Sequence, residues 1–389
     1  MVCAIAAGSC ASTAGSSDAL PGGDDSRTVN ALLKLKNGGE LTFAAIGGSI
    51  TQGGCVNGVN DWLQGKAAES GGKVTYVNAG IGASDSGLGC LRIQDHVLRH
   101  DPDILVVEYA VNDSYFYDAP TNNRTYESLV RQALKDSGRA VYLLLMHTDQ
   151  QGAAKFNPTH APQRAVGNNY QLPVFRWMDF EKSVKNWLAS GFLPDGTHPN
   201  AEGNASVSRG ITAYLDKIWD TLPDEPIAVN AALPPPKYFG DYEKISFIKW
   251  GDEGVAPGGW TEAASLLPDS WARLSSDLKG VSGFKTNSAD ELTIKFRGKS
   301  VYIISTYTDK GVSHGGPSSA DGGKAWVEKA GGGNTPRKNV SCLSWWSGPE
   351  WFGTHIADGL DAAQEHTLHI TGVKNGAVNV WGAIVGIDP

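Results

Sequence analysis

Between residues 27 and 220 short apolar runs alternate with stretches of helical periodicity. The runs are Leu41–Ile46 (LTFAAI), Val74–Val77, Asp103–Tyr109 (DILVVEY), Ala140–Met146 (AVYLLLM) and a weaker one at Leu172–Phe175. Between them the spacing predicts helices over about 60–70, 86–99, 124–137, 179–189 and 200–219. Strands that stay apolar without alternation are buried on both faces. The pattern therefore predicts a parallel sheet covered by helices on either side. In such sheets ligands bind beyond the C-terminal ends of the strands.

The pattern changes at the proline-rich stretch Leu222–Pro236 (LPDEPIAVNAALPPP). Three consecutive prolines, Pro234–Pro236, favour an extended, stiff spacer. Beyond it strand-like segments follow one another: Lys244–Trp250, Glu291–Arg297, Val301–Thr306, Ala325–Lys329, His366–Ile370 and Ala377–Val385. Gly-rich turns such as Gly331–Asn334 separate them, and no long helix intervenes. This predicts an all-β sandwich, jelly-roll-like, of about 150 residues. The organisation expected is a tail over 1–26, an α/β domain over 27–221, a linker over 222–236 and a β-sandwich over 237–389. A fragment ending near Asp220 is expected to keep the activity of the α/β domain unaided.

Composition narrows the possibilities. Of 389 residues, 41% are hydrophobic, enough to build a core. The net charge is −8 and no basic stripe occurs, which argues against a nucleic-acid partner. No apolar run approaches the ~20 residues of a membrane span. The first 18 residues are small and lack the basic start of a complete secretion signal. A disordered tail or a signal remnant is expected there, and with it a secreted or cell-envelope location. Five cysteines without a CxxC spacing are too few for a disulfide scaffold and do not suggest a zinc ribbon.

Four sites follow the predicted strands. Gly47-Gly48-Ser49-Ile50-Thr51 places a hydroxyl at the sheet edge on a flexible glycine turn. It is not the G-x-S-x-G elbow, because Thr51 stands where the last glycine would be. Asp195-Gly196-Thr197-His198-Pro199 can supply both a base and the acceptor that orients it. Asn112, followed by Asp113, could donate an amide to a developing oxyanion. The stretch Asn78 to Ser84, through Gly80, Gly82 and Ala83, leaves backbone N–H groups open to approach. Each has a bland alternative: a plain turn for Ser49, Asn112 and the 78–84 stretch, and a helix cap for Asp195.

Taken together and in this order, the four resemble the four blocks of the SGNH (GDSL-like) hydrolase family, over about residues 40–220. The first block carries Gly48-Ser49 where many members have Asp-Ser. In the second, the position five after Asn78 is Ala83 and not glycine, so either Gly82 or Ala83 can face the oxyanion. The resemblance implies a five-stranded parallel-sheet α/β/α sandwich of flavodoxin-like kind, with no metal or organic cofactor. It implies Ser49 as nucleophile, His198 as base and Asp195 as its orienting acid. The Ser49 N–H, the 82/83 backbone and the Asn112 side chain would hold the oxyanion. The family cleaves esters of sugars, lipids and small alcohols. Short acyl esters, acetyl above all, on a carbohydrate are the expected substrates, since β-sandwich modules accompany polysaccharide enzymes in this family. An acyltransferase or lipase-type enzyme with the same triad, and a non-catalytic carbohydrate-binding protein, are the alternatives.

His147, Asp149 and His160 lie after the fourth strand and match no metal-ligand spacing, so the rim of a substrate cleft is their expected place. Asp85 and Asp113 are expected to be local hydrogen-bond partners. Trp345-Trp346 and Trp351-Phe352 are expected to fill the sandwich core or the interdomain contact rather than stack on sugar. Cys55 and Cys90 follow adjacent loops at the sheet edge, and a disulfide between them is expected.

Overall fold

The computed structural model describes residues 23–115, 119–135, 137–148, 158–181, 191–264, 280–306, 323–340, 351–373 and 378–387. The tail to residue 22, Asp149, Trp345-Trp346 and nearly all of the helix expected at 179–189 lie outside them, as do the side chains of Trp351 and Phe352.

Five parallel strands form the first sheet: β1 (Glu40–Gly47), β2 (Lys73–Gly80), β3 (Ile104–Glu108), β4 (Ala140–Leu145) and β5 (Val174–Arg176). Their order is β2-β1-β3-β4-β5. This is the flavodoxin-like order, whose switch point lies between β1 and β3. The helices are α1 (Ser26–Lys36), α2 (Ser49–Gln52), α3 (Asn57–Ser70), α4 (Ser86–His96), α5 (Ala110–Tyr115), α6 (Ala119–Leu134), α7 (His160–Asn169), α8 (Trp177–Phe180) and α9 (Ala201–Trp219). Strand alternation deals core residues to two opposite faces. Phe43, Ala45, Val106 and Tyr142 pack with α1, α3 and α9. Ala44, Ile46, Val107 and Leu143 pack with α4 and α6.

That division overturns the expected disulfide. Cys55 belongs to the first of these cores and Cys90 to the second, so the sheet lies between them. Both thiols are free and buried, and the Cys90 Sγ donates to Thr125 O at 2.8 Å. A bridge needs Cα atoms within about 7 Å, and adjacency of loops in order along a sheet does not place side chains on one face.

The second half is built of two antiparallel sheets. The outer one orders β13 (Lys338–Val340), β12 (Gly323–Glu328), β15 (Glu365–Thr371), β10 (Glu291–Arg297) and β7 (Val255–Ala256). The inner one orders β14 (Trp351–Ala357), β11 (Ser300–Thr306), β16 (Val378–Gly386), β9 (Gly283–Thr286) and β8 (Thr261–Ala263), with β6 (Ile245–Ile248) also paired to β16. Outer strand β10 alternates between exposed and buried positions, as a half-buried strand should. Inner strand β11 is buried from Val301 to Ser305 without alternation. Val301 and Ile303 enter the sandwich core, while Tyr302 and Ile304 join the core of the α/β half. Trp381 and Ile384 of β16 do the same. One apolar core therefore runs through both halves.

Polar contacts reinforce the junction. The residues of the proline-rich stretch are strapped down rather than free. Asn30 exchanges two hydrogen bonds with Ile227, and Arg131 donates to Pro234 O at 2.8 Å. The buried Glu127 carboxylate accepts the N–H groups of Lys237, Tyr238 and Phe239. Arg131 pairs with Glu243, and Arg124 pairs with Asp358 beside His355. Among the described residues no helix is long and apolar enough to cross a membrane.

Candidate active site

Ser49 stands at the switch point, where β1 ends and α2 begins. Its Oγ lies 2.7 Å from His198 Nε2, and His198 Nδ1 lies 2.7 Å from Asp195 Oδ2. The loop carrying Asp195 and His198 holds itself. Asp195 Oδ1 accepts the N–H of Thr197 at 2.9 Å and of His198 at 2.7 Å. Gly196 takes φ +85°, a left-handed turn open to glycine, and the Thr148 hydroxyl donates to its carbonyl at 2.9 Å. Burial works to raise the Asp195 carboxyl. The hydrogen bonds from the His198 backbone and ring and from Thr197 outweigh it and hold the group below the usual carboxylate range.

Asn112 sits in α5, just after β3, and only 8% of it is exposed. Its Oδ1 presses on Gly48, where a Cβ would fall 1.9 Å away, and it has no hydrogen-bond partner. Glycine before the nucleophile thus lets the amide approach the Ser49 turn. Gly82 lies on the other side. A Cβ there would come 3.7 Å from the Ser49 Cβ, and the Gly82 N–H donates to Gln52 Oε1 at 2.7 Å. Ala83 takes φ +53°, an uncommon conformation for a side-chain-bearing residue. Gly82 thus lies beside Ser49, and its amide is engaged by Gln52.

Sequence reasoning missed three residues beneath this site. Arg92 of α4 is fully buried and gathers three strand ends. It donates to Ala79 O at 2.5 Å, to Gly47 O at 3.0 Å and to the Tyr109 hydroxyl at 2.8 Å. Glu108, paired in register with Gly47, accepts from the Thr51 hydroxyl at 3.2 Å, while its Oε1 is buried without a partner. Burial pushes its pKa up to about 7, against the pull of that hydroxyl. The only signal for it was a carboxylate inside the otherwise apolar run DILVVEYA. Gln52, exposed at the end of α2, carried no signal at all.

His147 and His160 are buried rather than on a rim, and His160 Nε2 lies 2.7 Å from Met146 O. Burial lowers the His160 pKa to about 4. Among the described residues no group of three or more His, Cys, Asp or Glu side chains could hold a metal.

Fold and site together define an esterase of the α/β class, with its centre at the switch point of a parallel sheet. Residues 45–205 match the GDSL-like Lipase/Acylhydrolase family. An arylesterase of Vibrio mimicus is 23% identical over 152 residues, 38% of this chain and 74% of that enzyme. Among solved structures, a two-domain esterase (CEX) active on acetylated mannans, co-crystallised with mannopentaose, superposes with a TM-score of 0.73. That likeness covers 96% of this chain and 98% of the other, at 23% identity. A second structure of a two-domain esterase (CEX) active on acetylated mannans gives 0.74, over 94% and 96%, also at 23% identity. The likeness in fold extends over both halves.

Proposed function

We propose that this protein removes short acyl groups, acetyl above all, from a carbohydrate through a Ser-His-Asp triad. The observation that carries the proposal is the unbroken chain Ser49 Oγ to His198 Nε2 to Asp195, at 2.7 Å for each link. With Asp195 ionised, its carboxylate holds the proton on Nδ1, and Nε2 is left to accept the Ser49 proton. Ser49 Oγ then bonds the ester carbonyl carbon, and the proton passes to His198. As the tetrahedral centre collapses, the bond between the acyl carbon and the sugar oxygen breaks, and His198 protonates that oxygen so that the sugar leaves as its free hydroxyl. Water repeats the sequence on the acyl-enzyme, giving the free acid and Ser49. The Ser49 N–H, the Asn112 side chain and the Gly82/Ala83 backbone are the proposed oxyanion donors. Gln52 must release the Gly82 N–H as the substrate oxygen arrives.

The two-domain likeness to an esterase active on acetylated mannans supports the choice of acetyl and of carbohydrate. The test is hydrolysis of p-nitrophenyl acetate, butyrate and octanoate beside acetate release from acetylated mannan and xylan. Preference for the acetyl ester and release from at least one glycan are expected, with Ser49→Ala inactive on all. Preference for octanoate, or activity that survives in Ser49→Ala, overturns the reading.

A further inference from the structure

Asp85 stands two residues after Ala83 and is 3% exposed. Its Oδ1 caps α4 by accepting Leu88 N–H at 2.9 Å. Its Oδ2 accepts two donors from the β half: the Tyr302 hydroxyl at 3.0 Å and the Gly353 N–H at 3.2 Å. Neighbouring Ser86 donates its N–H to Asp113 Oδ1 at 2.8 Å, and Asp113 directly follows Asn112. The 82–83 turn and the Asn112 helix are thus fixed to each other, and the pair is fixed to the inner sheet.

The tyrosine is fitted for this contact. A Cβ on Gly87 would fall 1.9 Å from its hydroxyl oxygen, and a Cβ on Gly353 would fall 1.0 Å away. Two glycines from two different halves leave the space its hydroxyl occupies. An apolar contact alone needs no hydroxyl aimed at a buried carboxylate, and a hydroxyl buried there without a partner would be destabilising.

We propose that the β-sandwich positions the oxyanion donors, with Tyr302 and the Gly353 amide acting through Asp85 on the 82–83 turn. Tyr302 is a positioning residue, and the second half then serves turnover on any ester, small ones included. The inference rests on the oxyanion roles proposed above.

The test is Tyr302→Phe in the full chain, which keeps the ring and removes the hydroxyl. On p-nitrophenyl acetate kcat should fall about 5- to 20-fold with KM within about twofold, because a misplaced donor is felt mainly in the transition state. Amide hydrogen exchange at 82–86 should quicken. Gly353→Ala, which drives the tyrosine away, should reproduce the loss of kcat. A Tyr302→Phe enzyme with kcat unchanged and only a lower melting temperature overturns the proposal and leaves Tyr302 a packing residue. Ser49→Ala, assayed beside it, separates the two readings. If that variant stays active, the proposed mechanism has failed, whereas an inactive Ser49→Ala beside an unaffected Tyr302→Phe condemns the positioning role alone.

Discussion

On one flank of Ser49, the Asp195–His198 loop is tied largely to itself, through a carboxylate that accepts two backbone N–H groups and one ring nitrogen within four residues. On the other flank, the segments either side of the 82–83 turn are held by Arg92 at Ala79, by Asp113 of α5 at Ser86, and by Tyr302 and Gly353 of the second half of the chain at Asp85. The acid–base machinery needs one imidazole in one tautomer, and a short loop can supply that. The proposed oxyanion donors come from three separate strand ends, and bringing them to one point takes packing across the molecule.

The largest effect is expected from a cut after Asp220. The His198 flank stays whole in such a fragment, but Tyr302, Ile304, Trp381 and Ile384 leave the core they share with α4 and α6. Contrary to the free-standing enzyme expected from the sequence pattern, the fragment should aggregate or melt far below the full chain, as large exposed apolar patches do. Circular dichroism and melting decide it, and a fragment as stable as the full chain would show the shared core to be dispensable.

A sharper cut on the local flank is Asp195→Asn. The amide should leave the fold intact and permit the wrong tautomer of His198, lowering kcat about 10³- to 10⁴-fold. A loss under tenfold would remove Asp195 from the relay. On the remote flank, Asn112→Ala should lower kcat about 10²- to 10³-fold with little change in KM, the expected result for a donor used in the transition state. Equal changes in kcat and KM would point to substrate binding instead.

The smallest effect concerns Glu108. Its pKa is about 7 in the folded chain against an ordinary value of 4.5, so the folded state binds its proton more tightly than the unfolded state. Between those values stability falls as pH rises, and the penalty is complete above about 7. Glu108→Gln has no such penalty. Relative to wild type it should gain on the order of 1–3 kcal/mol between pH 5 and pH 8, with kcat within about threefold. Urea unfolding at both pH values measures this, and a difference independent of pH would show that Glu108 does not carry the raised pKa.

Several elements were plain in the sequence because they depend on local period alone. Strand β10, ELTIKFR, alternates cleanly, and its two ends agree with the expected Glu291–Arg297. Three of the four chemical blocks were legible because each follows an apolar run, and the fourth because Asp195 and His198 stand three apart just before a predicted helix. Helix α7 was not. It contains Pro162 and Gly167 and few apolar positions, and its Gly167 is pressed so closely on Val174 that a Cβ would fall 2.3 Å from that side chain. Its helicity comes from packing rather than from pattern. The short strands β7, β8, β9 and β13 were missed for a similar reason, since two to four residues are too few to show a period.

The sequence by itself determined the strands of the first sheet, the place of Ser49 and Asn112 after two of them, the pairing of Asp195 with His198 before the last helix, and the change to β structure after the proline-rich stretch. Those features follow from side-chain period and from residues within a few positions of one another. The tertiary structure decided which face each side chain enters. It put Cys55 and Cys90 on opposite sides of the sheet, turned Tyr302 out of the sandwich core and onto Asp85, and brought Gly82 beside Ser49. A run such as Val301–Ser305 reveals burial on both faces but not what covers them. That choice rests on contacts between residues some 200 positions apart, which local pattern does not encode.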